Sequence, residues 1–315
     1  MAAAAALGGC LPGDDNGGGE ADVPVPMWQD LLTDITFADA NTGIVSGWGG
    51  RLLRTVDGGA TWVQTKTGTE ADLNSVAFLD GSVAVAVGAG GKMLRTTDAG
   101  MTWKELESPT GETLNQVVRA GNSLAIAAGW NGTILTSADK GVTWDATTVD
   151  FPNNYISLDY SQGVGMLVSS GGYVYRTLDG AASWEAIPLP ENTLPASVSL
   201  FGGSRALLVG QFGEMLVSNN SGADWYEGSS ILTADLLCSS FVGSPDAALA
   251  GGWDGVMIRT ADGGSTWSTV TAGTGRPIRA IEALDALTVF AVGDGDTIIV
   301  SRDGGNTWQE VKNKP

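Results

Sequence analysis

From about residue 30 to residue 313 the chain alternates short apolar runs with clusters of Gly, Asp, Asn and Ser. The runs are rich in Val, Ile, Leu and Thr, as around Leu52-Leu53, Met93-Leu94, Ile134-Leu135 and Ile298-Ile299. Short runs bounded by turn residues predict strands, because a helix needs a longer stretch with a 3.6-residue period. Within residues 74–106 the pattern predicts four strands, at 74–79, 82–87, 92–96 and 102–106. A Gly-Ala-Gly-Gly turn at Gly88 joins the second to the third, and an Asp-containing turn joins the third to the fourth.

This four-strand pattern recurs. Thr55–Trp62 reads T-V-D-G-G-A-T-W, and variants of it end at Trp103, Trp144, Trp184, Trp225, Trp267 and Trp308, with spacings of 41, 41, 40, 41, 42 and 41 residues. A second mark, mostly G-x-x-G, starts at Gly47, Gly88, Gly129, Ser169, Gly210, Gly252 and Gly293. Four antiparallel strands in about 41 residues is the size of one propeller blade. The sequence therefore predicts an all-β fold, a single seven-bladed β-propeller over residues 23–315 built from seven four-stranded repeats of about 41 residues. Within each box, Gly admits turn conformations closed to residues with a Cβ. The Asp carboxylate is expected to accept hydrogen bonds from its own turn, tied further by the Ser or Thr two positions earlier. The Trp ring is expected to pack between blades while its N–H finds a partner.

The box resembles the Asp-box (BNR-type) repeat, S/T-x-D-x-G-x-T-W. The longer pattern, an apolar strand, then G-x-x-G, then two apolar residues before R-T-x-D-G-G-x-T-W, resembles the photosystem II stability/assembly factor propeller family. The resemblance runs through all seven units. It implies a non-catalytic propeller with a protein partner, acting in assembly or stabilisation of a protein complex. Asp boxes also occur in sialidases, xyloglucan hydrolases and sortilin-type receptors. The competing expectation is therefore a glycoside hydrolase or a lectin-like, carbohydrate-binding propeller.

Composition narrows the field. The formal net charge is −19, the pI is about 4.1 and there is no His. Nucleic acid needs a concentrated basic surface and is not an expected partner. Mechanisms built on a histidine base or ligand are excluded, and no Cys pair is available for zinc. No cofactor or metal is expected. The box aspartates Asp57, Asp98, Asp139, Asp179, Asp262 and Asp303 invite a calcium reading, but a turn role fits better because Asn220 fills that place in the fifth unit. Arg54, Arg95, Arg176 and Arg259 share one repeat position and read as scaffold. Arg51, Arg119, Arg205, Arg276, Arg279 and Arg302 fall outside that position and form no recognisable sialidase cluster. The chain is expected not to be an enzyme.

At the N-terminus, Leu7-Gly8-Gly9-Cys10 resembles a bacterial lipobox. The apolar stretch before it is short and lacks the basic residues of an export signal. Residues 1–22 are read as an export and lipobox segment followed by a flexible Gly/Asp-rich tether, with Cys10 as the lipidated residue. The expectation is an exported, monomeric propeller, an outer-membrane or cell-surface lipoprotein or a periplasmic protein, touching membrane only through that lipid. Residues 23–28 are a candidate edge strand for the last blade, weakened by two prolines. Cys238, inside an apolar run, reads as a buried small hydrophobe.

Function is sought where the units differ. Trp48, Trp130 and Trp253 occupy one equivalent place, the residue after the first Gly of the G-x-x-G turn. Turn tips face solvent, so these three mark a candidate face for a protein segment or a sugar, opposite the boxes and arranged around the channel. Arg119 replaces an apolar or aromatic residue in the inner strand and is expected to reach the channel. Arg276 and Arg279, entering the inner strand of the last blade, are placed on the same candidate face.

Overall fold

The computed structural model describes residues 30–147, 153–228 and 232–311. They form seven sheets, each of four antiparallel strands consecutive in sequence. Blade 1 comprises Leu32–Phe37, Gly43–Gly47, Arg51–Thr55 and Val63–Thr65, from the channel outward. Blades 2 to 7 span residues 73–105, 114–147, 155–188, 195–227, 236–271 and 278–310. In blade 2 the strands are Leu73–Phe78, Ala84–Gly88, Met93–Thr96 and Lys104–Glu105, each boundary within two residues of its predicted place.

Burial explains why the strands read so differently in sequence. The second strand of every blade, such as Gly43–Gly47 or Val289–Gly293, is buried along its length, apart from Arg205 at the start of that strand in blade 5. It lies between neighbouring strands and under neighbouring blades, and so reads as an unbroken apolar run. Outer strands such as Lys104–Glu105 are short and exposed. The core lies between blades: Ile44 and Leu52 of blade 1 pack with Leu73, Val76, Phe78 and Leu94 of blade 2. Each such side chain contributes ~1.5–3 kcal/mol when fully buried.

The inner strand has no strand partner on its channel side, so its edge N–H and C=O groups need other partners. Side chains of the preceding blade supply them. Asp34 Oδ2 accepts from Val76 N (3.2 Å), Ser75 Oγ from Val117 N (3.1 Å), Gln116 Oε1 from Leu158 N (3.0 Å) and Ser157 Oγ from Val198 N (3.2 Å). One residue earlier in the strand, Thr33, Asn74 and Asn115 donate to the carbonyls of Leu73, Leu114 and Tyr155. Every inner strand carries a bulge near its start. A bulge re-aims side chains, and here it lies among the residues that reach the next blade.

Among the described residues the ring closes between blades 7 and 1 without exchanging a strand. Phe290 stacks on Phe37 with centroids 4.9 Å apart, and Arg51 pairs with Asp296 at 2.6 Å. Arg302 donates to Gly58 O (3.1 Å), and Leu31 bridges to Asp294. The candidate edge strand at residues 23–28 lies outside the described residues.

Candidate functional site

Because the G-x-x-G turn joins strands two and three, and the box joins three and four, the two marks lie on opposite faces of the ring. On the box face the repeated carboxylates are engaged by their own turns. In blade 1, Thr61 N (2.9 Å) and Thr55 Oγ1 (2.8 Å) donate to Asp57 Oδ1, and Thr61 Oγ1 donates to Oδ2 (2.6 Å). Asp98, Asp139, Asp179, Asp262 and Asp303 repeat this arrangement. Hydrogen bonds from Thr61 hold the Asp57 carboxyl down at about 2. Among the described residues no cluster of three or more acidic, Cys or His side chains is arranged to hold a metal.

The box tryptophans pack at the blade seams as expected, with Trp62, Trp144 and Trp267 buried. Their N–H groups depart from expectation. Among the described residues only Trp308 Nε1 has a partner, Gly305 O at 3.2 Å, whereas the other six have none. Packing area, not hydrogen bonding, accounts for the repeated indole.

The arginines before the box do act as scaffold. Arg54 Nε donates to Ala99 O (2.6 Å), Arg95 Nε to Lys140 O (2.9 Å), Arg176 Nη1 to Ser221 O (3.1 Å) and Arg259 Nε to Gly304 O (2.9 Å). Each acceptor follows the box Asp or Asn of the next blade. Two further arginines do the same work from other positions. Arg205 Nη2 reaches Gly263 O (2.5 Å) where blade 5 has Val217, and Arg302 reaches Gly58 O where blade 7 has Val300. Arg205, Arg302 and the ring-closing Arg51 therefore leave the pool of candidate ligand groups.

The inner strands enclose a channel of about 890 Å³. Its wall carries Asp34, Asp159 and Glu282. Asp34 takes Ile35 N on Oδ1 and Ser75 Oγ with Val76 N on Oδ2. Asp159 takes Tyr160 N on Oδ1 and Leu200 N on Oδ2. Removal from bulk water outweighs these bonds and raises both carboxyls to about 6. Glu282 accepts no hydrogen bond among the described residues, and burial, with the charges of Asp34 and Asp159, raises it to about 8. Nothing in the sequence pattern singled out this trio, because the three residues sit in different blades and at two different strand positions. Arg119 lines the same channel as expected, but it is exposed and its Nε is turned back onto Gly121 O (2.9 Å).

On the G-x-x-G face, Trp130 is 48% exposed and borders the channel, Trp253 is 43% exposed, and Trp48 is partly buried. Of the three, only Trp130 lines the channel, so they do not form a ring about it. Arg279 lies over the Trp253 ring, 4.8 Å from its centroid, and is clamped by Asp294 through Nε (2.7 Å) and Nη2 (3.0 Å). Arg276 is exposed and donates to Gly295 O. Phe212, which the tryptophan register passed over, is 70% exposed with φ 55°. The signal that finds it is an aromatic at the third place of the turn, where the other blades carry Gly, Asn or Asp. Cys10 and residues 1–22 lie outside the described residues. Cys238 is 5% exposed, and burial pushes its thiol up to about 12.

The solved structure "YCF48 bound to D1 peptide" aligns with a TM-score of 0.76 at 23% identity, covering 87% of this chain and 94% of that one. YCF48 from Cyanidioschyzon merolae aligns with a TM-score of 0.75 at 21% identity, covering 89% and 98%. The GH74 xyloglucanase from Xanthomonas campestris aligns with a TM-score of 0.75 at 14% identity, covering 91% of this chain but 55% of that one. At such identities the likeness establishes the fold alone. A search of curated proteins returned no significant match. The family model described as "Photosynthesis system II assembly factor YCF48" matches residues 21–111 and 101–230, more than half of the chain. By that match, running through the boxes and turns of the first five blades, the chain belongs to the YCF48 assembly-factor family.

Proposed function

We propose that this chain is a non-catalytic, protein-binding propeller that helps to assemble or stabilise a protein complex, and that its G-x-x-G face makes the contact. The observation that carries the reading is the division of labour between the faces. On the box face the repeated carboxylates are consumed by their own turns, while the opposite face presents aromatic residues that the fold does not bury. Aromatic and arginine side chains dominate the energetics of protein interfaces. Family membership supports the assembly role, and a related YCF48 structure is described as bound to a D1 peptide. Both oxygens of Asp34 and of Asp159 accept hydrogen bonds from inner-strand backbone or Ser75, the pattern of carboxylates that hold blades together.

We further propose that the chain is exported and tethered by a lipid on Cys10 through residues 11–22. A Cys10→Ser variant is expected to lose incorporation of a fatty-acid label. The xyloglucanase likeness supplies the competing reading. Glycan-array binding or xyloglucan hydrolysis that is lost in Trp48→Ala/Trp130→Ala/Trp253→Ala would favour it. Absence of both activities, with recovery of a defined protein that the triple variant fails to recover, supports the protein-binding role.

A further inference from the structure

We infer that the stretch of the G-x-x-G face over blades 4 to 6 is a subsite for a cationic segment of a protein partner, a Lys or Arg beside an apolar residue, gripped between Phe212 and Trp253. This assignment rests on the protein-binding reading and specifies the chemistry of the partner.

Adjacency is fixed by backbone geometry. Asp235 stands between the two turns: its Oδ1 accepts from Phe212 N (2.9 Å), and its carbonyl accepts from Trp253 N (3.1 Å). Equivalent pairs in other blades join Gly49 to Ala89 across Asp72, and Asn131 to Ser170 across Asn154. Only across Asp235 do both turns carry an aromatic. On the far side of Phe212 the same network reaches Leu194, 43% exposed, whose carbonyl accepts from Gln211 N (3.0 Å).

Phe212 is the most informative residue of the group. A bulky residue at φ 55° is strained, and exposure of its ring at 70% contributes nothing to the core. Neither local conformation nor packing accounts for it, whereas a contact made by the ring does. Charge sets the partner's sign. Residues 189–194, 211–214, 232–235 and 253–255 contain Glu191, Glu214, Asp235 and Asp254 and no Lys or Arg, and Arg279, which lies over Trp253, is paired with Asp294. Trp253 already holds one guanidinium, that of Arg279, against its ring, the interaction that a partner's cation would repeat on Phe212 and Trp253.

The test uses the whole chain and two synthetic peptides, one alternating Arg, Leu and Gly and one with Glu in place of Arg, read by fluorescence anisotropy. The Arg peptide is expected to bind at least about tenfold tighter than the Glu peptide, and to weaken as salt is raised. Phe212→Gly is expected to lower that affinity by about tenfold with no loss of thermal stability, since Gly accepts the backbone conformation. Glu191→Lys/Asp254→Lys is expected to weaken binding and flatten its salt dependence. Equal binding of the Glu peptide, binding of neither, or unchanged affinity in Phe212→Gly overturns the inference. Loss of a protein partner in Trp48→Ala/Trp130→Ala with Phe212→Gly silent would overturn it too, while leaving the protein-binding reading in place.

Discussion

Asn220 shows how much of each box is local bonding. In blade 5 the usual Asp…Thr pair is replaced by Asn220 and Asp224. Ser218 Oγ and Asp224 N still donate to Asn220 Oδ1 (both 3.0 Å), and Asn220 Nδ2 now donates to Asp224 Oδ2 (2.8 Å). The donor and acceptor have changed places. Asn220→Asp would set two carboxylates against each other and is expected to cost ~1–2 kcal/mol. Asn220→Asp/Asp224→Thr restores the common arrangement and is expected to recover most of the loss in urea denaturation. The substitution of Asn for Asp was legible in sequence, but the compensating Asp224 was not, because no contact can be read from a single unit. Titration at the residue scale has two opposite signs. Box carboxyls held near 2, such as Asp57 and Asp303, stabilise the fold above the unfolded value of 3.8, and that stability is lost as pH falls toward 2. Glu282 is raised from 4.5 to about 8, so the native state keeps a proton that the unfolded chain has released, and stability falls as pH rises between those values. Glu282→Gln is therefore expected to match the parent at pH 4 and to melt higher than the parent at pH 9, as scanning calorimetry would read. An unchanged difference between the two pH values would contradict the placement of this carboxyl.

Between elements, the joints follow one rule with local exceptions. An arginine of one blade holds the carbonyl after the box Asp or Asn of the next at six of the seven joints among the described residues. At the joint of blades 3 and 4 the equivalent residue is Thr136. Thr136→Arg is expected to stabilise the chain by ~1 kcal/mol, and Arg302→Ala to destabilise it by ~1–3 kcal/mol, since a charged hydrogen bond is lost at the closing joint. Chemical denaturation of both variants checks the pair. The sequence register made Arg54, Arg95, Arg176 and Arg259 legible as scaffold because they share one position. Arg205 and Arg302 reach the same kind of acceptor from other strand positions, and only the fold brings them there. The first Gly of the G-x-x-G mark is required by close backbone approach rather than by a left-handed conformation. Gly252 is extended (φ −163°), but a Cβ there would lie 2.0 Å from Asp235 O. Gly252→Ala is accordingly expected to cost ~2 kcal/mol or more.

For the whole molecule, sevenfold repetition makes the ring, its blade number and the opposition of its two faces readable in the sequence. The distribution of function over that ring was harder to read. Trp48, Trp130 and Trp253 stood out because tryptophan is rare and the register repeats, yet the fold separates them: one borders the channel and another lies under Arg279. Phe212 escaped because an ordinary aromatic at a turn gains meaning only from its backbone angle and exposure. The acid trio of the channel escaped because its members are scattered in sequence and meet only on ring closure. A net charge of −19 acts at this scale as well, discouraging anionic partners and favouring a cationic one. The central claim is that a protein partner is held on the G-x-x-G face. It is tested most directly by placing a photo-crosslinking amino acid at Phe212 or Trp253 on that face, and at Met101 or Val142, also exposed, on the box face. Crosslinking in native membranes is predicted to trap one discrete protein from positions 212 and 253 and none from 101 and 142. Trapping from the box face alone, or equally from both faces, would contradict the claim.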